Sequence, residues 1–531
     1  MAVRTRLHHP LPAPRPIRPI RPLRRFASPL TVLLLAGCAA VGPDHVAPHP
    51  EAPARWADWH GGDAALATPA SPDAQLLARA DWSAFDDPTL VRLQARAADA
   101  NQDIRTAALR FAQARVQQAM ATAQRGPQLA ARAGVSEQRQ SEVGAATRMI
   151  DAIAPAQGRD AIIQVLSDPF TLYQAGFDAS WEPDLWGRVR RSVEAAQAGS
   201  DAARAGVRQM QWSIAAEVAR AYFQLRTLQA QRHLVQADIA LSRDALELLR
   251  AKVGGGLLDD SAAVRARQQL DGLEARVPQL LAQEAQAIDQ LSLLCGARPG
   301  ALNDELAANA SATNASTITT DDGEPGRRWP DLALGVPSEL AQRRPDIAAA
   351  EARLHAATAQ IGVATADLYP RVTLGASFGF ESVGASRFGD WGSRQWTIGP
   401  SLSLPVFDQG RRRSAIELRE LDQQEAAVAY QQTVLKAWHE VDAAVSTYMA
   451  ERQRQQHLAK QVTDSRDDLA LANAKYRNGV TDALPDLDAQ HALLQARRDA
   501  ADSIGQLQVA LVAVYKALGD GGGTVSSATP R

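Results

Sequence analysis

The chain has 531 residues, 46% of them hydrophobic, 22% charged and only 5% aromatic, a length beyond one compact core and a mixture that suits long helices better than a large globular body. Its net charge is −2, but the first 37 residues hold seven arginines and no acid; without them 50 basic and 59 acidic residues leave a net of −9, which excludes a basic stripe for nucleic acid. Two cysteines, Cys38 and Cys295, exclude a disulfide framework.

The N-terminus reads as an address. Arginines and prolines fill residues 1–25, and an apolar run, Phe26 to Ala36, is too short to span a bilayer as a helix but has signal-peptide length. It ends in Leu35-Ala36-Gly37-Cys38, which resembles a bacterial lipobox. The alternative is an ordinary signal peptide with a chance cysteine. As a lipobox it makes Cys38 the acylated first residue of the mature protein, and Ala39 after it, where inner-membrane lipoproteins carry Asp, implies the outer membrane. Pro43, Pro48, Pro50 and Pro53 mark an extended tether. No later stretch has the roughly 18 uninterrupted apolar residues of a transmembrane helix, so a membrane crossing requires a closed β-barrel.

The rest of the chain is a duplication. At an offset of 243, Asp103-Ile104, Arg110, Gln117 and Pro127 match Asp346-Ile347, Arg353, Gln360 and Pro370. The offset then becomes 223: Gly187-Arg188 matches Gly410-Arg411, Glu217-Val218 matches Glu440-Val441, Lys252 and Gly256 match Lys475 and Gly479, and Gly296 matches Gly519. Copy 1 is therefore longer by the 20-residue difference between the offsets. The extra length falls in the polar stretch near Ser141 to Asp160, read as a longer hairpin loop.

Each copy parses alike. A first helix, about Asp87 to Gln124 or Pro337 to Asp367, starts at Asp87-Pro88 or Pro337-Ser338 and ends at Pro127 or Pro370. Period-two alternation then marks strands: Val372, Leu374, Ala376, Phe378 and Phe380 on one face of copy 2, with a return strand carrying Trp396, Ile398, Leu402 and Leu404, and in copy 1 a return strand carrying Tyr173, Ala175, Phe177, Ala179 and Trp181. Arg188 to about Lys252 and Arg411 to about Arg477 lack proline and predict helices of roughly 95–100 Å. Gly254-Gly255-Gly256 and Asn478-Gly479 are turns, and returning helices run from about Ser261 to Leu294, kinked by Pro278, and from about Asp486 to Leu518. Four strands with one apolar face cannot close a membrane barrel alone, and a pore requires at least three copies. Helices three times longer than a bilayer is thick must project from it.

Leu334-Gly335-Val336-Pro337-Ser338-Glu339-Leu340, Arg343-Arg344-Pro345-Asp346-Ile347 with Ala350-Glu351, Trp181-Glu182-Pro183-Asp184-Leu185-Trp186-Gly187-Arg188, and Tyr476-Arg477-Asn478-Gly479 leading to Leu487-Asp488-Ala489-Gln490 together resemble the signature of the TolC-like outer-membrane efflux lipoproteins, OprM/NodT branch. The resemblance covers about Trp82 to Leu518. It implies a mainly α fold with a small β part. It implies that three such duplicated helix–β-hairpin–long helix–helix chains form a homotrimer, with a twelve-stranded outer-membrane barrel on a periplasmic α-helical barrel. It implies a passive exit duct for drugs or other small molecules, with a periplasmic adaptor and an inner-membrane resistance-nodulation-division transporter as partners beside outer-membrane lipid, and no cofactor. By alignment to the family, Leu484 and Asp488 fall at an apolar ring and a carboxylate ring of an iris-like gate; the alternative for Asp488 is a dipole-stabilising residue near a helix start. At the 223 offset Arg265 faces Asp488, so the copies do not form identical gate layers. The tip turns Gly256-Leu257-Leu258 and Gly479-Val480-Thr481 are expected to dock the adaptor, and equally to be glycine-capped helix turns. Trp181, Trp186, Trp391 and Trp396, near strand ends, fit an interfacial aromatic belt or core packing.

The expected divisions are a signal peptide (1–37), a lipidated tether (38–81), repeat 1 (82–300), a linker or equatorial segment (301–336), repeat 2 (337–518) and a disordered tail (519–531). There is no phosphate loop, nucleophile elbow, CxxC or metal-spaced histidine pair, so no catalytic or metal residue is expected. Two other functions fit parts of the pattern: the channel of a type I protein-secretion system, which usually lacks a lipid anchor, and a structural lipoprotein spacer, which has no use for lipid-facing hairpins.

Overall fold

The computed structural model describes residues 40–53, 56–67, 82–85, 87–144, 148–149, 158–307 and 343–519. The leader, Cys38, most of the segment 301–336, the start signal Pro337-Ser338 and the tail beyond residue 519 lie outside the described residues.

In copy 1 the order is α1 (Pro88–Ala100), α2 (Gln102–Ala123), β1 (Gln128–Gln138), α3 (Arg159–Ser167), β2 (Phe170–Trp181), α4 (Arg188–Gly254), α5 (Asp260–Glu274) and α6 (Arg276–Leu294). Copy 2 follows with α7 (Pro345–Ala366), β3 (Arg371–Ser382), β4 (Arg394–Ser403), α8 (Arg411–Arg477) and α9 (Leu484–Leu518). The two long helices have 67 residues each, about 100 Å. Among the described residues no helix is long and apolar enough to cross a membrane.

Several boundaries differ from the sequence expectation, each for a local reason. The first helix of copy 1 is two helices, broken at Asn101, whose side chain accepts from the Asp103 and Ile104 amides and starts α2 afresh. The first described helix of copy 2 begins at Pro345, with proline in its first turn. The returning helix of copy 1 breaks at Ala275, upstream of Pro278: a proline lacks the N–H that would bond the residue four back and its ring crowds that carbonyl, here Glu274. The loop of copy 1 ends in a short helix, α3.

The four strands form one antiparallel sheet in the order β1-β2-β3-β4. Below it the helices make a wall: α4 packs on α2 and α7, and α7 on α8. Further from the sheet α4 packs on α5 and α6, α8 on α9, and α9 on α4. The two copies therefore share one body. Its core lies midway along the long helices, where Phe85, Phe223, Tyr222, Tyr448 and Tyr515 are buried. Phe85 and Phe223 pack with ring centroids 4.9 Å apart. The Tyr222 hydroxyl donates to Asp87 at 2.7 Å, and burial pushes its phenol up to about 12, so it remains a donor. Each fully buried leucine such as Leu225, Leu291 or Leu306 contributes about 2 kcal/mol. Leu302 and Leu306 attach the start of the inter-copy segment to this core.

The described part of the tether, residues 40–53 and 56–67, is a docked strap rather than a free one. The Val41 amide donates to the Trp186 carbonyl at 3.1 Å. Arg191 binds Asp44 at 2.6 Å. His45 stacks on His355 with centroids 4.4 Å apart, Tyr430 donates to the Pro48 carbonyl, and Trp59 packs edge-on against Trp438. His60 pairs with Asp442 at 2.8 Å, and Gln453 donates to the Ala65 carbonyl. The strap thus runs from the sheet–helix junction along α8 to the equator.

Candidate functional site

The sheet has two chemically distinct faces. Register aligns Leu129, Ala179, Ala376 and Ile398 in one row, Ala131, Phe177, Phe378 and Trp396 in the next, and Trp181, Leu374 and Pro400 in a third. Leu129, Phe177, Phe378, Trp396, Ile398 and Leu402 are exposed. The other face carries Arg132 paired with Asp178, Gln174 donating to Glu381 at 2.7 Å, and a row of Gly176, Gly379 and their neighbours. A Cβ on Gly176 would come within 2.7 Å of the Phe378 carbonyl oxygen, so the sheet bends sharply with its small, polar face on the inside. An apolar outside and a polar, concave inside are what a water-filled barrel in lipid requires.

The edges are open. In this sheet β1 pairs only with β2, and β4 only with β3. The wall ends at the same two sides, in α2 and α8. Both edge helices expose apolar stripes: Leu109, Val116 and Met120 on α2, and Leu418, Leu421, Val428 and Leu435 on α8. Their charges are opposite in kind. Arg105, Arg110 and Arg115 are exposed on α2, and Glu417, Glu420 and Glu425 on α8.

Three of the four tryptophans are exposed near the sheet's limits: Trp181, Trp391 and Trp396. Arg394 lies over the Trp391 ring. Trp186 is packed instead, stacked on Tyr369 and donating to the Pro370 carbonyl at 2.8 Å.

At the far end both tip turns are glycine-capped in the same way. Gly256 and Gly479 have φ of +72° and +69°. The Leu257 amide bonds the Lys252 carbonyl and the Val480 amide the Lys475 carbonyl, each at 2.9 Å, which closes the two helix ends. Leu257 and Val480 are left 76% and 70% exposed, so each turn presents an apolar residue at its apex. Leu258 and Thr481 are half-buried beside them.

Leu484 and Asp488 lie one helical turn apart on α9 and so share a face. The Leu484 amide bonds Asp482 at 3.0 Å, and its side chain is half-buried. Asp488 is exposed and makes no ion pair or side-chain hydrogen bond among the described residues. Its neighbour Asp486 is the opposite case: buried, it accepts from Asn473 and Gln490. One carboxylate is used to hold the hairpin and the other is presented outward.

Reasoning from sequence missed the ties between the two copies. Asp238 on α4, buried, accepts from His491 at 2.6 Å and from Arg498, both on α9. Burial alone raises a carboxylate pKa, but these two partners outweigh it and hold Asp238 below its usual range. Nearer the tip Lys252 meets Asp482 at 2.8 Å, which likewise holds Asp482 low. Gly505 of α9 sits so close to Thr227 of α4 that a Cβ there would overlap its hydroxyl. Partners some 250 residues apart leave no local pattern to find.

Comparison with known proteins agrees with this geometry. The sequence model of the family described as outer membrane efflux protein matches twice, over residues 93–297 and 336–520. The chain is 33% identical over 443 residues to the pyoverdine export outer membrane protein OpmQ of Pseudomonas putida, covering 83% of this chain and 87% of that one. It is 33% identical over 509 residues to the outer membrane protein OprJ of Pseudomonas aeruginosa, covering 93% and 95%. The solved structure of the outer-membrane channel OprN superposes with a TM-score of 0.72 at 32% identity, over 90% of this chain and 98% of that one.

Proposed function

The chain belongs to the outer membrane efflux protein family, and from that premise we propose that it is the outer-membrane exit channel of a tripartite efflux pump, a passive, gated duct for small molecules that catalyses no reaction. The observation that carries the duct is the pair of open edges: β1 with α2 on one side, β4 with α8 on the other. Four strands are too few to close and unpaired edges recruit further strands. Three chains joined edge to edge make a twelve-stranded barrel wide enough to conduct, continued by a helical tube. The apolar stripes pack across each seam, and the arginines of α2 meet the glutamates of α8.

Acylation of Cys38 fits the strap. Val41 bonds Trp186 at the rim of the sheet, so the described start of the strap lies at the end of the molecule that the proposed barrel places in the membrane. The apolar apices Leu257 and Val480 are the surface offered to a periplasmic adaptor, which joins the channel to an inner-membrane resistance-nodulation-division transporter.

The gate reading rests on the contrast of Asp486, buried, with Asp488, exposed above Leu484. Threefold assembly brings three Asp488 carboxylates and three Leu484 side chains toward the axis. Like charges there resist closure without cations or water between them and favour cation passage. The test is single-channel conductance of the purified trimer in a planar bilayer, beside Leu484→Ala/Asp488→Ala. The expected result is a small cation-selective conductance that rises several-fold in the variant. Trimers with equal conductance in both would move the gate elsewhere, and folded protein that neither trimerises nor conducts would sink the channel.

A further inference from the structure

Each copy enters its long helix through Gly-Arg and sets three arginines in the first turn: Arg188, Arg190 and Arg191 on α4, and Arg411, Arg412 and Arg413 on α8. Cations at a helix start oppose the helix dipole, so both clusters need anions. Copy 1 provides its own. Glu182 holds Arg188 through two bonds of 3.0 and 2.8 Å, Asp184 lies 3.6 Å from Arg190, and Asp44 of the strap with Glu194 holds Arg191.

Copy 2 keeps the equivalent of Glu194, as Glu417, but has lost the two acids that precede the helix. At the 223 offset Glu182 becomes Pro405 and Asp184 becomes Phe407. Only Arg412 keeps a partner, Asp408 at 3.1 Å. Arg411 and Arg413 are exposed and make no ion pair or side-chain hydrogen bond among the described residues. In place of the acids stands an apolar shelf: Leu404, Val406 and Phe407 are 52%, 91% and 84% exposed. The shelf continues the outward apolar face of β4 directly into the arginines.

A neighbouring chain does not supply the missing anions. This step rests on the trimer proposed above, which sets α8 and β4 beside α2 and β1 of the next copy. From Ile104 to Ser136 that edge has five arginines and no carboxylate. Because α2 climbs toward the sheet and α8 descends from it, Arg115 and Arg110 lie level with Glu420 and Glu425, but Arg125, also exposed, lies level with Arg411. The seam balances charge in its lower part and has unbalanced positive charge at the membrane boundary.

We propose that Arg411 and Arg413, with the shelf Leu404, Val406 and Phe407, bind the phosphate headgroup and upper acyl chains of an anionic phospholipid of the periplasmic leaflet. Apolar side chains above and guanidinium groups below match the two ends of such a lipid, and guanidinium pairs phosphate through parallel hydrogen bonds. A zwitterionic lipid brings its own ammonium beside the phosphate and fits the cluster less well.

The test reconstitutes the full-length protein in nanodiscs of equal phosphatidylglycerol and phosphatidylcholine, releases the trimer and counts retained lipids by native mass spectrometry. Wild type and Lys460→Gln, far down α8, are expected to retain phosphatidylglycerol preferentially. Arg411→Gln/Arg413→Gln is expected to lose that preference by about five-fold per arginine. Phe407→Asp, which restores the acid of copy 1 while keeping both arginines, is expected to lose it as well. A trimeric wild type without preference, or an unchanged preference in both variants, overturns the lipid site alone. A wild type that stays monomeric overturns the trimer reading and the site with it.

Discussion

The two copies make the same equatorial joint with different chemistry. In copy 1 Asn101 starts α2 and its amide donates to the Leu294 carbonyl at the end of α6, at 2.9 Å. In copy 2 the residue at the 243 offset is Arg344, which donates to the Ala517 carbonyl near the end of α9, at 2.7 Å. Leu294 and Ala517 are themselves equivalent at the 223 offset. Past each carbonyl stands a glycine in the left-handed region, Gly296 at φ +62° and Gly519 at +81°, each pressed against the partner helix start. Position is held by geometry: a helix end must meet a helix start with its last carbonyls satisfied. Residue type is free so long as it donates. Arg344 then does more than Asn101, because its other nitrogens bind Asp346 at 3.0 and 2.7 Å and Glu440 at 2.7 Å. The Arg-Arg-Pro-Asp motif is therefore a structural rivet joining α7, α8 and α9.

The largest expected effect breaks that rivet. Arg344→Ala leaves two carboxylates facing each other and a buried carbonyl unpaired. The loss is expected at about 3 kcal/mol, the low end for a broken buried pair, because Glu440 is partly exposed. Arg344→Lys, lacking the planar fork, is expected to recover only a part. Urea unfolding of the reconstituted protein measures both, and a loss under 1 kcal/mol in Arg344→Ala would show that the joint does not depend on its arginine.

The glycines sharpen the comparison. Gly296→Ala places a Cβ against the Ala100 carbonyl, which is backbone and cannot move aside. Gly519→Ala meets Arg344 Cγ at 2.9 Å and the Arg343–Arg344 backbone at 3.1 and 3.3 Å, a milder overlap than the 2.4 Å at Gly296. Both bear the cost of an alanine at positive φ, about 1 kcal/mol or more, and the first adds the sharper overlap, about 1–2 kcal/mol. Equal losses in the same unfolding assay would mean that the two joints are packed alike after all. Asn101→Ala removes a cap and one bond and is expected to cost about 1–1.5 kcal/mol, at most half the Arg344 effect.

What was legible in the sequence follows from the same contrast. The long helices, the alternating strands and the tip turns were readable because their signals are local: uninterrupted helix formers from Arg188 and Arg411, period two in Val372 to Phe380, glycine at Gly256 and Gly479. The break at Asn101 carried a local signal too, Asn followed by Asp103, but it sits inside a run whose apolar spacing never falters, so one helix was the simpler reading. Pro278 announced a break whose site, at Ala275, is set by the carbonyl it cannot bond. The docked strap was not legible, since Val41, His45, Trp59 and His60 find partners on three different helices and follow no period. Leu484 and Asp488 were reachable only by family resemblance, and the Asp238 brace by nothing in the sequence.

That brace supplies the smallest expected effect, and it turns on sign. Nothing equivalent ties the copies a second time: at the 223 offset Asp238 corresponds to Gln461, and His491 and Arg498 to Gln268 and Ala275. Asp238 is held below the ordinary carboxylate range by His491 and Arg498 despite its burial. A carboxylate depressed on folding stabilises fully above its unfolded value, about 3.9, and the contribution is lost only as pH falls through the lower folded value. The stability difference between wild type and Asp238→Asn is therefore expected not to shrink between pH 7 and pH 5, and to do so only below about pH 4. Hydrogen exchange of the α4 and α9 amides around residues 238 and 498 measures it locally. A difference that already closes between pH 7 and pH 5 would mean that the carboxylate is not the group holding the copies together there, and that the tie at this level resides in the packing of Gly505 on Thr227 instead.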